Sequence, residues 1–104
     1  MTMRAGNRVV QDNAVELRYE LVDGGEVVGL IRYRREPGAI ALVHTDVGPE
    51  VEGTGAGGEL VEGALEDLRR RDLRVIPICP FVRSWIDRNP AYADIVADDP
   101  APPE

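Results

Sequence analysis

From Glu52 to Leu68 the chain reads EGTGAGGELVEGALEDL, with four glycines in the six residues Gly53 to Gly58 followed by apolar residues at helical spacing. Glycine costs backbone entropy and is kept where side chains must be absent. Three chemistries use such a stretch. Gly53-x-Gly55-x-x-Gly58 matches the dinucleotide fingerprint letter for letter. That motif, however, needs the first strand of a parallel βαβ unit and an acidic residue ending the next strand. Here the preceding strand belongs to an antiparallel set, and the next one ends in Ile78-Cys79-Pro80. The outer spacing of a phosphate loop is also met. Glu59 and Leu60, however, stand where that loop carries its lysine and its magnesium-binding hydroxyl. The third chemistry is a strand-loop-helix whose bare N–H groups, at the positive end of the helix dipole, hold a pyrophosphate. Its alternative is a turn whose glycines only make room for the helix to pack.

Two further places carry reactive groups. His44, the only histidine, lies two residues before Asp46 on a strand, so both point to one face. A group titrating near neutral pH can take a proton from an amine, and Asp46 beside it would raise its basicity. The alternative is a histidine satisfied by a neighbouring strand. Cys79 is the only cysteine; a free cysteine is either a nucleophile or an inert buried apolar residue. One cysteine excludes an internal disulfide framework and fits a reducing cytoplasm, and one histidine leaves no metal site of the usual Cys/His kind.

The charge is −7, and all 12 basic residues are arginine. A negative field repels nucleic acid and anionic membranes, so neither is an expected partner, and a polyanionic ligand must be held locally. No apolar run approaches a membrane span, and the first twenty residues lack the apolar core of a secretory signal. A cytoplasmic protein is expected.

The elements that must position these groups follow from periodicity. Residues 1–14 are weakly patterned, with room for an edge strand. Val15, Leu17, Tyr19 and Leu21 alternate along a half-buried strand, Val27 to Glu36 returns as its hairpin partner, and Ala39 to Val47 is a third strand. From Gly57 to Asp72, Leu60, Val61, Ala64, Leu65 and Leu68 form one face of an amphipathic helix closed by Arg69, Arg70 and Arg71. Leu73 to Pro80 reads as a strand covered on both faces, Phe81 to Asn89 as a second helix ended by Pro90, and residues 97–104 as an acidic, proline-rich tail. The expected fold is a single α/β domain with a mixed sheet: an antiparallel meander, then strand, loop, helix, strand and helix.

The stretch EGTGAGGELV resembles the acyl-coenzyme A loop of the GNAT acetyltransferase superfamily. With RYEL, HTDV, LRVIPICPFV and RNPAYADIV, the resemblance extends to the small, single-domain Yjdj-type branch and covers residues 9–96. Glu52 stands where the wider superfamily has Gln or Arg; the small branch carries glutamate there. The resemblance implies an N-acetyltransferase that uses acetyl-CoA, with no metal, and an exposed amine as acceptor. It places the coenzyme's pyrophosphate on Glu52, Gly53, Thr54, Gly55, Ala56, Gly57 and Gly58, with the amides from Thr54 to Gly58 as donors. The pantetheine arm would lie in the gap where the strand that ends at Val47 diverges from the next parallel one, and Pro77 in that next strand is consistent with an interrupted ladder; a simple bulge at Pro77 is the alternative.

Cys79 would then meet the thioester, as nucleophile, as pocket wall or as an unrelated core residue, with His44 and Asp46 as base and partner. Asn89 is a further candidate for the coenzyme. The superfamily's tyrosine acid has no counterpart, since Ile86 and Trp85 fall at its place, and Tyr92 is the substitute within reach. Arg69, Arg70, Arg71 and Arg74 could meet a ribose phosphate or form a solvated face. The short lead-in leaves no room for helices over the acceptor, so that side is expected to be open. A non-catalytic acyl-CoA-binding regulatory module is the competing reading.

Overall fold

The fold comes from a computed structural model that describes residues 8–97; the expected acidic tail, apart from Ala97, and the first seven residues lie outside them. Five strands form one sheet in sequence order: β1 (Arg8–Asn13), β2 (Arg18–Asp23), β3 (Glu26–Glu36), β4 (Ala39–Val47) and β5 (Arg74–Pro77). The first four are antiparallel and β5 is parallel to β4. The crossover between them is helix α1 (Ala56–Arg70), reached through a 3-10 turn at Pro49–Val51. After β5 come α2 (Pro80–Arg88) and a second 3-10 turn, Pro90–Ile95. The mixed sheet and the expected element order are thus both present.

Leu60, Val61, Ala64, Leu65 and Leu68 are all fully buried, as their spacing requires. They share a core with Tyr19, Leu21, Ile31 and Leu42 of the sheet and with Val82 and Ile86 of α2. Both helices therefore cover the same face. The other face carries a much smaller cluster, Ala39, Ala41 and Ile76, and beyond it polar side chains. Glu20 is buried there, accepting from Gln11, Asn13 and Arg18 at 2.8–3.0 Å.

Two expectations need correction. Val15 and Leu17 are not in a strand: residues 14–17 turn between β1 and β2, Val15 is exposed, and Leu17 takes a φ of 57°. The Asn13 carboxamide oxygen accepts from the Glu16 amide and ends β1 there, overriding an alternation that read as continuous. The buried strand is also shorter than Leu73 to Pro80. Pro77 cannot donate to a ladder, Ile78 is already exposed, and Pro80 opens α2. Pro90 ends α2 as expected, and the turn behind it buries Tyr92 and Ile95 while Val96 bridges to Val75 at the sheet edge.

Candidate acyl-carrier site

β4 and β5 pair only from Ala39 and Arg74 to Leu42 and Pro77. One more bond follows, from the Cys79 amide to the Leu42 carbonyl at 2.9 Å, and the strands then part. β4 runs on to Val47 while the segment after β5 turns into α2, so the two diverge in a wedge between the second half of β4 and the start of α2. The proline's missing N–H thus coincides with the end of pairing.

The glycine loop stands beside this wedge. Gly53 and Gly55 have φ of 80° and 87°, the left-handed region that glycine alone enters without strain, and no atom lies within 4 Å of where a Cβ would be. Gly55 is the residue that caps α1, and no side chain caps it. The Glu59 amide donates to the Gly55 carbonyl, but the amides of Gly53, Gly55, Ala56, Gly57 and Gly58 have no acceptor among the described residues. Unsatisfied donors at a helix start are groups to which an anion can bond. Thr54 differs from the expectation: its amide donates to Val51 at 3.2 Å and its hydroxyl donates to the same carbonyl, because Thr54 anchors the loop.

The other two glycines have a packing reason as well. A Cβ on Gly57 would stand 2.8 Å from the Phe81 ring, and one on Gly58 would stand 3.1 Å from Trp85 Nε1. Room-making and bare amides thus coexist in this loop, divided between Gly57-Gly58 and Gly53-Gly55. Among the described residues, exposed Glu52 makes only its amide bond to Pro49, at 3.4 Å. Val47 is half-buried against the core and, with Asp46, Gly48 and Glu50, lines a surface depression of about 300 Å³.

Cys79 is buried at the start of α2, and its sulfur lies 3.3 Å from Thr45 Oγ1. Burial pushes the thiol up, but the Thr45 hydroxyl and the amides of Val82 and Phe81 outweigh it and bring the thiol below its ordinary value. His44 and Asp46 flank Thr45 and, as expected, share a face. It is the face away from the helices: past a bulge in β4 their backbone partners are Arg32 and Leu30, while Thr45 pairs with buried Ile31. Both are exposed, and they make no hydrogen bond to each other or to Cys79. Thr45 is the residue that sequence reasoning passed over, although the alternation that put His44 and Asp46 on one side put Thr45 on the other.

The remaining candidates lie elsewhere. Asn89 Nδ2 donates to the Trp85 carbonyl at 2.8 Å and closes the end of α2. Tyr92 donates to Glu66, whose carboxylate and the burial of the ring push the phenol up to about 12. The Tyr92 ring packs on Trp85 with centroids 5.4 Å apart, and its hydroxyl is engaged by Glu66. Arg69, Arg70, Arg71 and Arg74 bond to Asp94, Asp67, Asp12 and the backbone at the far end of α1, which sides with the structural alternative for that run.

A family model for GCN5-related N-acetyltransferases matches residues 18–95. The chain belongs to that family. The solution structure of a GCN5-like protein from Staphylococcus aureus superposes with a TM-score of 0.65 over 85% of this chain and 86% of that one, at 24% identity. No curated protein matches the chain. The compact mixed α/β sheet is therefore the family's fold. The glycine loop and the parted strands both fall within the matched residues.

Proposed function

We propose that the protein is an acetyl-CoA-dependent N-acetyltransferase acting on an exposed amine. The observation that carries the reading is the row of unpaired amides at the start of α1, placed beside strands that part at Pro77. Those amides, with the dipole of a 15-residue helix behind them, would hold the pyrophosphate without a lysine. Val47 and the second half of β4, beyond its pairing with β5, would line the pantetheine arm. When bound, the coenzyme supplies an activated acetyl thioester. The wedge then serves to position that thioester against an amine, and positioning is worth several kcal/mol of barrier.

Cys79 is the nearest reactive group to the end of the wedge, as nucleophile or as wall of the thiol pocket. His44, open to solvent on the far face, is the residue suited to take a proton from an amine arriving from that side. The described residues place no helix over that face, and the acidic surface favours a cationic amine. The reading extends to the cytoplasm as the site of action, on the strength of the free thiol.

Detection of an acyl-CoA that copurifies with the protein, followed by steady CoA release with a panel of amines, tests the proposal. No binding and no release would end it. Cys79→Ala separates the two roles of the thiol: a fall of several orders of magnitude in rate marks a nucleophile, a small change a wall. One observation favours a regulatory binding module instead, since the substitute tyrosine, Tyr92, has its hydroxyl engaged by Glu66. Tight CoA binding with no turnover for any amine would select it.

A further inference from the structure

An acidic residue, Glu59, stands in the first turn of α1, one residue beyond the unpaired amides, where a nearby anion would meet its charge. It does not stand alone. Arg8, the first residue of β1, donates from Nε to Glu59 Oε1 and from a terminal nitrogen to Oε2, both at 3.0 Å. This is the two-pronged geometry that makes arginine–carboxylate pairs strong. The other terminal nitrogen donates to Thr54 Oγ1 at 3.1 Å, and the Thr54 carbonyl lies 3.4 Å from the first. The Arg8 side chain is only 8% exposed although its partner Glu59 is 46% exposed. A guanidinium so enclosed and so fully engaged acts on a ligand through Glu59 and Thr54.

We propose that Arg8 is a positioning residue for the anion cradle: it cancels the Glu59 carboxylate beside the unpaired amides and clamps Thr54, so that an edge strand 46 residues earlier in sequence sets the loop's affinity for phosphates. The proposal rests on the cradle reading given above. Its physical content is a coupling. With Arg8 removed, Glu59 keeps its charge next to the ligand; with both removed, the charge is gone and only the clamp is lost.

A double-mutant cycle reads this. CoA affinity is measured by calorimetry for wild type, Arg8→Met, Glu59→Gln and the double variant, with folding checked by thermal melting. Titration with inorganic pyrophosphate, followed at the Gly55–Gly58 amides by NMR, serves as a second probe. Arg8→Met is expected to weaken CoA binding about tenfold. Glu59→Gln should hold or tighten it, and the double variant should return to within about threefold of wild type. The single-variant loss should shrink as salt is raised. A double variant as weak as Arg8→Met, at every salt concentration, would reduce Arg8 to a scaffold residue and overturn the inference. If wild type binds pyrophosphate and not CoA, the acetyltransferase reading fails while the cycle is still read with pyrophosphate. If it binds neither, both fail.

Discussion

The two ends of α1 are built on opposite principles. At its C-terminal end the side chains are tied into one network. The Tyr19 hydroxyl donates to Asp67 at 2.6 Å, Arg70 and Arg71 bond the same carboxylate, Arg71 also reaches Asp12 at 3.0 Å, and Asp12 accepts from Tyr33 at 2.6 Å. Burial and the anionic partner push both phenols up. At the N-terminal end glycine replaces side chains and five amides are left without acceptors among the described residues. One helix thus carries its stability at one end and its candidate chemistry at the other. The locked end allows the open end to be costly: unpaired donors are unfavourable, and a fold tolerates them only when anchored elsewhere.

If that division is right, substitutions at the two ends should separate binding from stability. Gly55→Val should have the largest effect, because it forces a β-branched residue into a left-handed conformation and turns the amides aside. CoA affinity should fall at least about 100-fold, or ~2.7 kcal/mol, by calorimetry, while the far end keeps the protein folded. An affinity near wild type would remove the cradle from the account. Asp67→Asn should do the reverse, costing about 2 kcal/mol of unfolding free energy in urea with CoA affinity unchanged.

The same carboxylate sharpens the comparison through pH. Burial raises Asp67, but the Tyr19 hydroxyl and Arg71 win and leave it below the ordinary carboxylate value. A depressed group contributes stability above its unfolded value, and that contribution is lost as pH falls through the folded one. Wild type should therefore lose stability below about pH 4 more steeply than Asp67→Asn, as seen in acid melts. Glu20, lowered by Asn13 and Arg18, adds to that slope in both proteins. Tyr19→Phe should cost about 1 kcal/mol, several degrees in Tm for a domain of this size. Arg69→Ala should cost least, under about 1 kcal/mol, since its pair with Asp94 is largely exposed. A large loss there would show that the C-terminal lock extends farther than the Asp67 cluster.

Much of this was readable from local pattern. Ala39 to Val47 is a strand with the expected ends, and α1 starts one residue and stops two residues from where its apolar face said it would. The glycines flagged an unusual helix start because their cost is local and needs a local reason. What pattern missed involved partners far along the chain or a change of direction. Val15 and Leu17 alternate correctly and still lie in a turn, because the Asn13 side chain ends the strand before them. Arg8 sits in an unpatterned lead-in, and its partners are 46 and 51 residues away. Tyr92 is near the expected thiol site in sequence, but its hydroxyl is held by Glu66 of α1, 26 residues away.

Periodicity and composition by themselves determined the order of elements, the buried face of the longer helix and the need for bare backbone at residues 53–58, since each follows from interactions within a few residues. Tertiary structure alone decided that both helices share one side of the sheet, that Thr45 rather than His44 meets Cys79, and that Phe81 and Trp85 explain two of the four glycines. Those outcomes depend on which surfaces exclude water together and on where a strand bulges. Neither is written in the spacing of any single segment.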